Sequence, residues 1–115
     1  MFKTHNDAYI EIGGTHLQGY IRADYAALVK AFGKPHDGDG YKVDWEWDIL
    51  FEDGTVATIY NWKNGPNYGY EGVGPSAIME WNVGGHSNVV PRIARILGTQ
   101  PITTDDMMRS FLRWA

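Results

Sequence analysis

Val43-Asp44-Trp45-Glu46-Trp47-Asp48-Ile49-Leu50-Phe51 alternates large apolar side chains with mostly acidic ones. The residues that follow, Glu52-Asp53-Gly54-Thr55-Val56-Ala57-Thr58-Ile59-Tyr60-Asn61-Trp62, supply a turn and a second β-prone run. Successive side chains of a strand point to opposite faces. The period of two therefore puts Val43, Trp45, Trp47, Ile49 and Phe51 on one side and Asp44, Glu46, Asp48 and Leu50 on the other. Gly54 stands where a tight turn needs a positive φ. A register set by that turn places Asp48 opposite Thr58, Glu46 opposite Tyr60 and Asp44 opposite Trp62. This hairpin is expected to anchor an antiparallel sheet, with Trp45, Trp47, Ile49 and Ile59 in the core.

Upstream, Tyr25, Leu28, Val29 and Phe32 recur at helical spacing behind Asp24, with Gly33 and Pro35 as stop signals, and predict an amphipathic helix. Residues 9–12 and 15–21, joined by Gly13-Gly14, read as an opening β-hairpin. Downstream, residues 64–76 are too broken by glycine and proline for a helix or an interior strand and form a long loop. A short strand over 79–83 follows. Gly84-Gly85-His86-Ser87 then leads to a helix over about 88–97, with Pro91 tolerated in its first turn and Gly98 at its end. A terminal helix is expected behind Thr103 or Thr104, with Asp105 and Asp106 at its positive end and Met107, Phe111 and Trp114 on one face. The predicted fold class is α+β: a single domain over 1–115, in the order ββαβββαα, its antiparallel sheet covered by helices on one face. Leu28, Phe32, Ile93 and Leu97 join the hairpin residues in the core.

A chain of 115 residues with 43% hydrophobic and 14% aromatic residues can bury one sizeable core. Its 14 acidic and 10 basic residues give a net charge of −4, the wrong sign for gripping a phosphate backbone, which disfavours direct nucleic-acid binding. The absence of cysteine excludes disulfides, thiolate metal sites and thiol nucleophiles. No apolar run is long enough to span a bilayer, and residues 1–8 lack the layout of a signal peptide, so the expected location is the cytoplasm.

The acidic face of the hairpin, with Asp44, Glu46, Asp48, Tyr60 and Trp62, reads in two ways. It is a surface that grips a partner by carboxylates and stacking, or an ordinary solvated sheet face. The carboxylates are spaced along one strand and lack the opposed placement of a glycosidase pair. His5, His16, His36 and His86 show no His-x-x-x-His or His-Glu-x-x-His spacing and read as separate surface residues, so no metal site and no cofactor are expected. Asp37-Gly38-Asp39-Gly40 begins like a calcium loop, but Tyr41 and Lys42 fall where an oxygen ligand and a glycine are needed. Gly84, Gly85, His86 and Ser87, between a strand and a helix, could present backbone N–H groups to an anion, or simply form a tight turn capped by Ser87. Ser76, Ser87 and Ser110 lack a nucleophile-elbow setting, and no catalytic set is legible, so the chain is read as a non-enzyme.

Two stretches, residues 51–63 and Trp81-Asn82-Val83-Gly84-Gly85-His86-Ser87, resemble a group of small bacteriophage-encoded proteins that share the pattern DGTVATIY-(D/N)-(W/Y)-K … W-(H/N)-(I/V)-GG-x-S. The likeness covers residues 13–97 and departs at Asn82, where histidine is the commoner residue. It implies a phage origin rather than a reaction. Small phage proteins of this kind often block a host component, so the leading expectation is an accessory protein that binds and inhibits a host defence protein, such as a CRISPR effector, in the host cytoplasm. Asp44, Glu46, Asp48, Tyr60, Trp62, Tyr68 and Tyr70 would form its contact surface. The alternative is a binder that sequesters a nucleotide defence signal, with Gly84 to Ser87 on phosphate and Tyr60 or Trp62 on the base. Sheet edges or the terminal helix could also pair two copies across a symmetry axis.

Overall fold

The computed structural model describes residues 1–69 and 72–103. In chain order the elements are β1 (Phe2–Thr4), β2 (His16–Arg22), α1 (Tyr25–Phe32), β3 (His36–Asp37), β4 (Trp45–Phe51), β5 (Val56–Tyr60), a 3-10 turn at Pro75–Ala77, β6 (Glu80–Gly85), α2 (Val90–Leu97) and β7 (Pro101–Thr103). The fold is α+β and mostly sheet. Its seven strands form one antiparallel sheet in the order β1-β4-β5-β6-β2-β7, and β3 pairs with β4 beside that path. Among the described residues no helix is long and apolar enough to cross a membrane.

The β4–β5 hairpin forms in the expected register, with Glu46 opposite Tyr60, Trp47 opposite Ile59 and Asp48 opposite Thr58. The turn closes because the Gly54 N–H reaches the Phe51 carbonyl at 2.9 Å, and Gly54 takes φ 87°, a conformation that side-chain-bearing residues avoid. Asp44 stands before the strand and has no ladder partner at Trp62. Residues 9–12 form no strand, so the opening hairpin is not made. β2 instead pairs with β6 and β7, both far away in sequence, and Phe2–Thr4, unassigned by pattern, takes the outer edge of β4. The edge strand β1 is three residues long, as is β7 among the described residues. The predicted terminal helix lies outside the described residues.

Helix α1 matches its pattern. The Asp24 carboxylate accepts the Ala27 N–H at 2.7 Å, and Gly33 closes the other end at φ 84° with its N–H on the Val29 carbonyl. Both helices cover the sheet face that carries Trp47, Ile49, Ile59, Trp81, Val83 and Ile21, and Leu28, Phe32, Val90 and Ile93 complete one buried cluster. Trp45 and Leu97, expected inside, pack partly buried at its rim. The opposite sheet face carries the polar side chains.

Candidate functional site

Across the polar face, the ladder register lines up Glu46 of β4, Tyr60 of β5, Asn82 of β6 and Tyr20 of β2 in one row. The next row holds Asp48, Thr58 and Gly84. This face is not a solvated one. Asp44 and Asp48 are only 4% and 7% exposed, so neither carboxylate is on the surface where the alternation placed it. Period two tells which face a side chain takes; it does not tell what covers that face. Here β3 and the chain around His5 lie against Asp48, while Asn61, Gly65 and Asn67 close over Asp44.

β3 is two residues long and brings His36 directly opposite Glu46 and diagonal to Asp48. His36 Nε2 lies 2.9 Å from Asp48 Oδ2 and 3.4 Å from Glu46 Oε2. His5 continues the edge beyond β1: its N–H donates to the Asp48 carbonyl at 3.0 Å, its Nδ1 accepts the Asp48 N–H at 3.3 Å, and its Nε2 meets the Lys34 carbonyl at 2.9 Å. The two imidazoles touch edge to face, with centroids 4.7 Å apart. His5 and His36 are thus half-buried parts of one polar cluster rather than separate surface residues.

Burial, followed by the neighbouring Asp48 and Asp39 carboxylates, pushes Glu46 up to about 9. Because this folded-state value lies above that of the unfolded chain, the native state holds the proton more tightly. The resulting stabilisation is complete below the ordinary glutamate range and is lost as pH rises through about 9. In metal-free protein, chemical denaturation between pH 5 and 9, a range chosen to fall roughly between the two values, should therefore show stability falling as pH rises. Glu46→Gln should flatten that slope; an equal slope in the variant would mean that Glu46 is not the group that sets it.

Glu46 also lines a cleft with Ile12, His16, Thr58, Tyr60 and Trp62, whose volume is about 190 Å³. Gly84 is its floor: a Cβ there would stand 2.5 Å from Thr58 Oγ1 and 3.5 Å from the Tyr60 ring. Drug-sized ligand pockets run to roughly 300–1,000 Å³, so the cleft is small for a nucleotide. The expected phosphate grip is absent as well. Gly84 and Gly85 are not a loop before a helix but the end of β6, with ladder partners on β2 and β5. Only His86 and Ser87 lie in the exposed turn, and the residue that caps α2 is Val89, not Ser87.

Three exposed aromatic side chains gather at the end of the hairpin. Tyr41, Trp62 and Tyr68 are 53%, 46% and 40% exposed, and the Tyr41 and Tyr68 rings lie 5.2 Å apart. Lys42 sits 5.6 Å from the Trp62 ring centre, and Lys63 sits 5.7 Å from both the Trp62 and Tyr68 rings. Lys63 holds φ 60°, a conformation that costs a non-glycine residue about 1 kcal/mol and persists only where the surroundings enforce it. The structure thus joins Trp62 and Tyr68 to Tyr41 and two lysines, leaves Tyr60 half-buried in the cleft and separates Asp44 and Asp48 from the surface. Tyr70 lies outside the described residues. Tyr41 and the lysines escaped the sequence reading because they lie on either side of the hairpin and are brought together by contacts across it, such as the Lys63 N–H on the Lys42 carbonyl at 2.7 Å. No protein-family model, curated protein or solved structure matches the chain.

Proposed function

We propose that the protein is a non-enzymatic binding module that engages another protein through Tyr41, Trp62 and Tyr68, with Lys42 and Lys63 giving the surface its charge. The single observation that carries this reading is the clustering of three exposed aromatic rings around two ammonium groups on one end of a sheet. Large, stiff aromatic side chains bury much area on contact at little entropic cost and supply most interface hot spots. Asp44 and Asp48 are buried away from this surface, and Lys42 and Lys63 make an acidic patch the complementary partner surface. A host defence protein, such as a CRISPR effector, is the partner class suggested by the resemblance to phage proteins, and blocking such a partner by occupancy requires no catalytic group.

The test compares capture from bacterial lysate by the wild-type chain and by a Trp62→Ala/Tyr68→Ala double variant, then remeasures the affinity with the captured protein purified. Hot-spot aromatics cost at least about 2 kcal/mol each on truncation, so affinity should fall by roughly a hundredfold or more while the circular dichroism of the variant stays native. Equal affinity, or no partner held by the wild-type chain, would refute the proposal.

A further inference from the structure

The polar cluster under β3 carries chemistry that the binding surface does not use. His36 Nδ1 lies 2.8 Å from the Asp37 carbonyl oxygen, which can only accept, so Nδ1 carries the ring hydrogen and Nε2 of the neutral ring presents a lone pair. That lone pair faces Asp48 Oδ2 and Glu46 Oε2 at 2.9 and 3.4 Å. Nε2 and the two carboxyl groups converge on one point, so a proton or a cation must bridge them. The other Asp48 oxygen, Oδ1, is buried with no hydrogen-bond partner among the described residues. That oxygen has been taken out of water with no hydrogen bond from the described residues in exchange.

We propose that His36, Glu46 and Asp48 form a binding site for one divalent transition-metal ion of the zinc class, with Nε2 and one oxygen from each carboxylate as ligands. Metal bonds to nitrogen and oxygen of about 2.0–2.2 Å place neighbouring ligand atoms roughly 3–3.5 Å apart, which the two His36 separations already match. All three ligand atoms lie within 4.8 Å of one another, and rotation of the longer Glu46 side chain closes the widest gap. An imidazole with two carboxylates suits Zn²⁺, Co²⁺ or Mn²⁺ better than Mg²⁺ or Ca²⁺, which prefer oxygen alone.

The surroundings have the form of a supporting shell. The Asp37 carbonyl fixes the His36 tautomer, as carbonyl or carboxylate partners do for most metal-bound histidines. His5 is a positioning residue: both its nitrogens are engaged, one by the Asp48 N–H and one by the Lys34 carbonyl, so it braces the Asp48 backbone and has no lone pair left for a metal. The His36 side chain remains 35% exposed against 14% for Glu46 and 10% for Asp48, which leaves an approach from solvent at the histidine.

The probe is Co²⁺, added to untagged, chelator-treated protein and followed by its visible ligand-field absorption, then displaced by Zn²⁺. Saturation at one ion per chain is expected. Outer-shell changes cost roughly 10–100-fold in metal affinity, so His36→Ala should lose more than a hundredfold and His5→Ala should fall within that range. His86→Ala, at an exposed histidine outside the cluster, should bind as the wild type. Glu46→Gln keeps the side-chain shape and serves if His36→Ala fails to fold; it should weaken binding by at least about tenfold. On Zn²⁺ addition the ¹⁵N resonance of His36 Nε2 should move while Nδ1 stays protonated. Absence of saturable binding, or binding that survives both His36→Ala and Glu46→Gln, would overturn the assignment.

Discussion

Replacing Trp47 by alanine should remove about 4–5 kcal/mol of folding stability, at the upper end of the range for a buried tryptophan. Trp47 is fully buried, its ring lies 5.4 Å from Trp81 in an edge-on contact at 79° and 5.9 Å from Tyr25, and its indole N–H donates to the Gly33 carbonyl at 2.7 Å. The substitution therefore opens a cavity between the sheet and α1 and also removes the indole donor from the half-buried Gly33 carbonyl, at about 1 kcal/mol for the lost hydrogen bond. Against the roughly 5–15 kcal/mol available to a domain, the variant should stand at the edge of unfolding. Urea titration is the measurement: the midpoint should drop sharply with the slope unchanged. Trp47→Phe separates the two contributions, because it refills most of the volume and leaves only the carbonyl unpaired, at about 1–2 kcal/mol. A loss under about 2 kcal/mol for Trp47→Ala would mean that Trp81 and Tyr25 collapse into the space and that the aromatic cluster does not hold α1 on the sheet.

Trp47 belongs to the part of the molecule that was legible from the chain alone. Its hairpin is closed by a turn whose residues are adjacent in sequence, so local chemistry sets the register and the register sets the core. The failures share a physical cause, which is that partners far away in sequence outweigh local signals. Gly13-Gly14 is good turn chemistry, yet residues 9–12 do not pair with β2 because β6 and β7 do, and Tyr9 is left 85% exposed. Gly84 and Gly85 look like a loop from their composition. They are strand residues whose missing Cβ atoms let Thr58 and Val89 approach, a demand of packing that no dipeptide advertises. The same holds for the candidate metal cluster. β3 is two residues long behind Pro35, too short to carry a period, yet it alone places His36 on the carboxylates. Trp62 and Tyr68 are exposed, whereas Tyr60, assigned to the same contact surface, is half-buried. Their lysine neighbours follow only from the hairpin geometry.

Asn61→Ala should cost roughly 4 kcal/mol and should disable the aromatic surface as well as the fold. Asn61 is 1% exposed and makes four hydrogen bonds: its Oδ1 accepts from the Asp44 and Trp45 N–H groups at 2.8 and 3.0 Å, and its Nδ2 donates to Asp44 Oδ2 at 3.1 Å and Asn64 Oδ1 at 2.9 Å. Alanine leaves two backbone donors without partners and takes from the buried Asp44 carboxylate one of its two hydrogen-bond donors, the other being the Asn67 N–H at 3.1 Å. Each group left unpaired costs about 1–3 kcal/mol, more for a charged one. The Asp44–Asn67 bond ties down the segment next to Tyr68, and Asn61 precedes Trp62, so partner affinity should fall in the same variant although neither aromatic ring is altered. Geometry supplies a stricter check than the single substitution. Asn61→Asp sets two carboxylates against each other and should be at least as damaging as alanine. The exchange Asn61→Asp with Asp44→Asn should recover most of the loss. The carboxylate moved to position 61 can still accept both backbone N–H groups, the new amide at position 44 can donate back to it, and the oxygen of that amide can accept from the Asn67 N–H. Thermal denaturation and partner affinity measured on the single and double variants decide the point. Recovery of both in the exchange would identify the pair as the pin that holds the aromatic surface, whereas additive losses would mean that Asn61 serves the backbone alone.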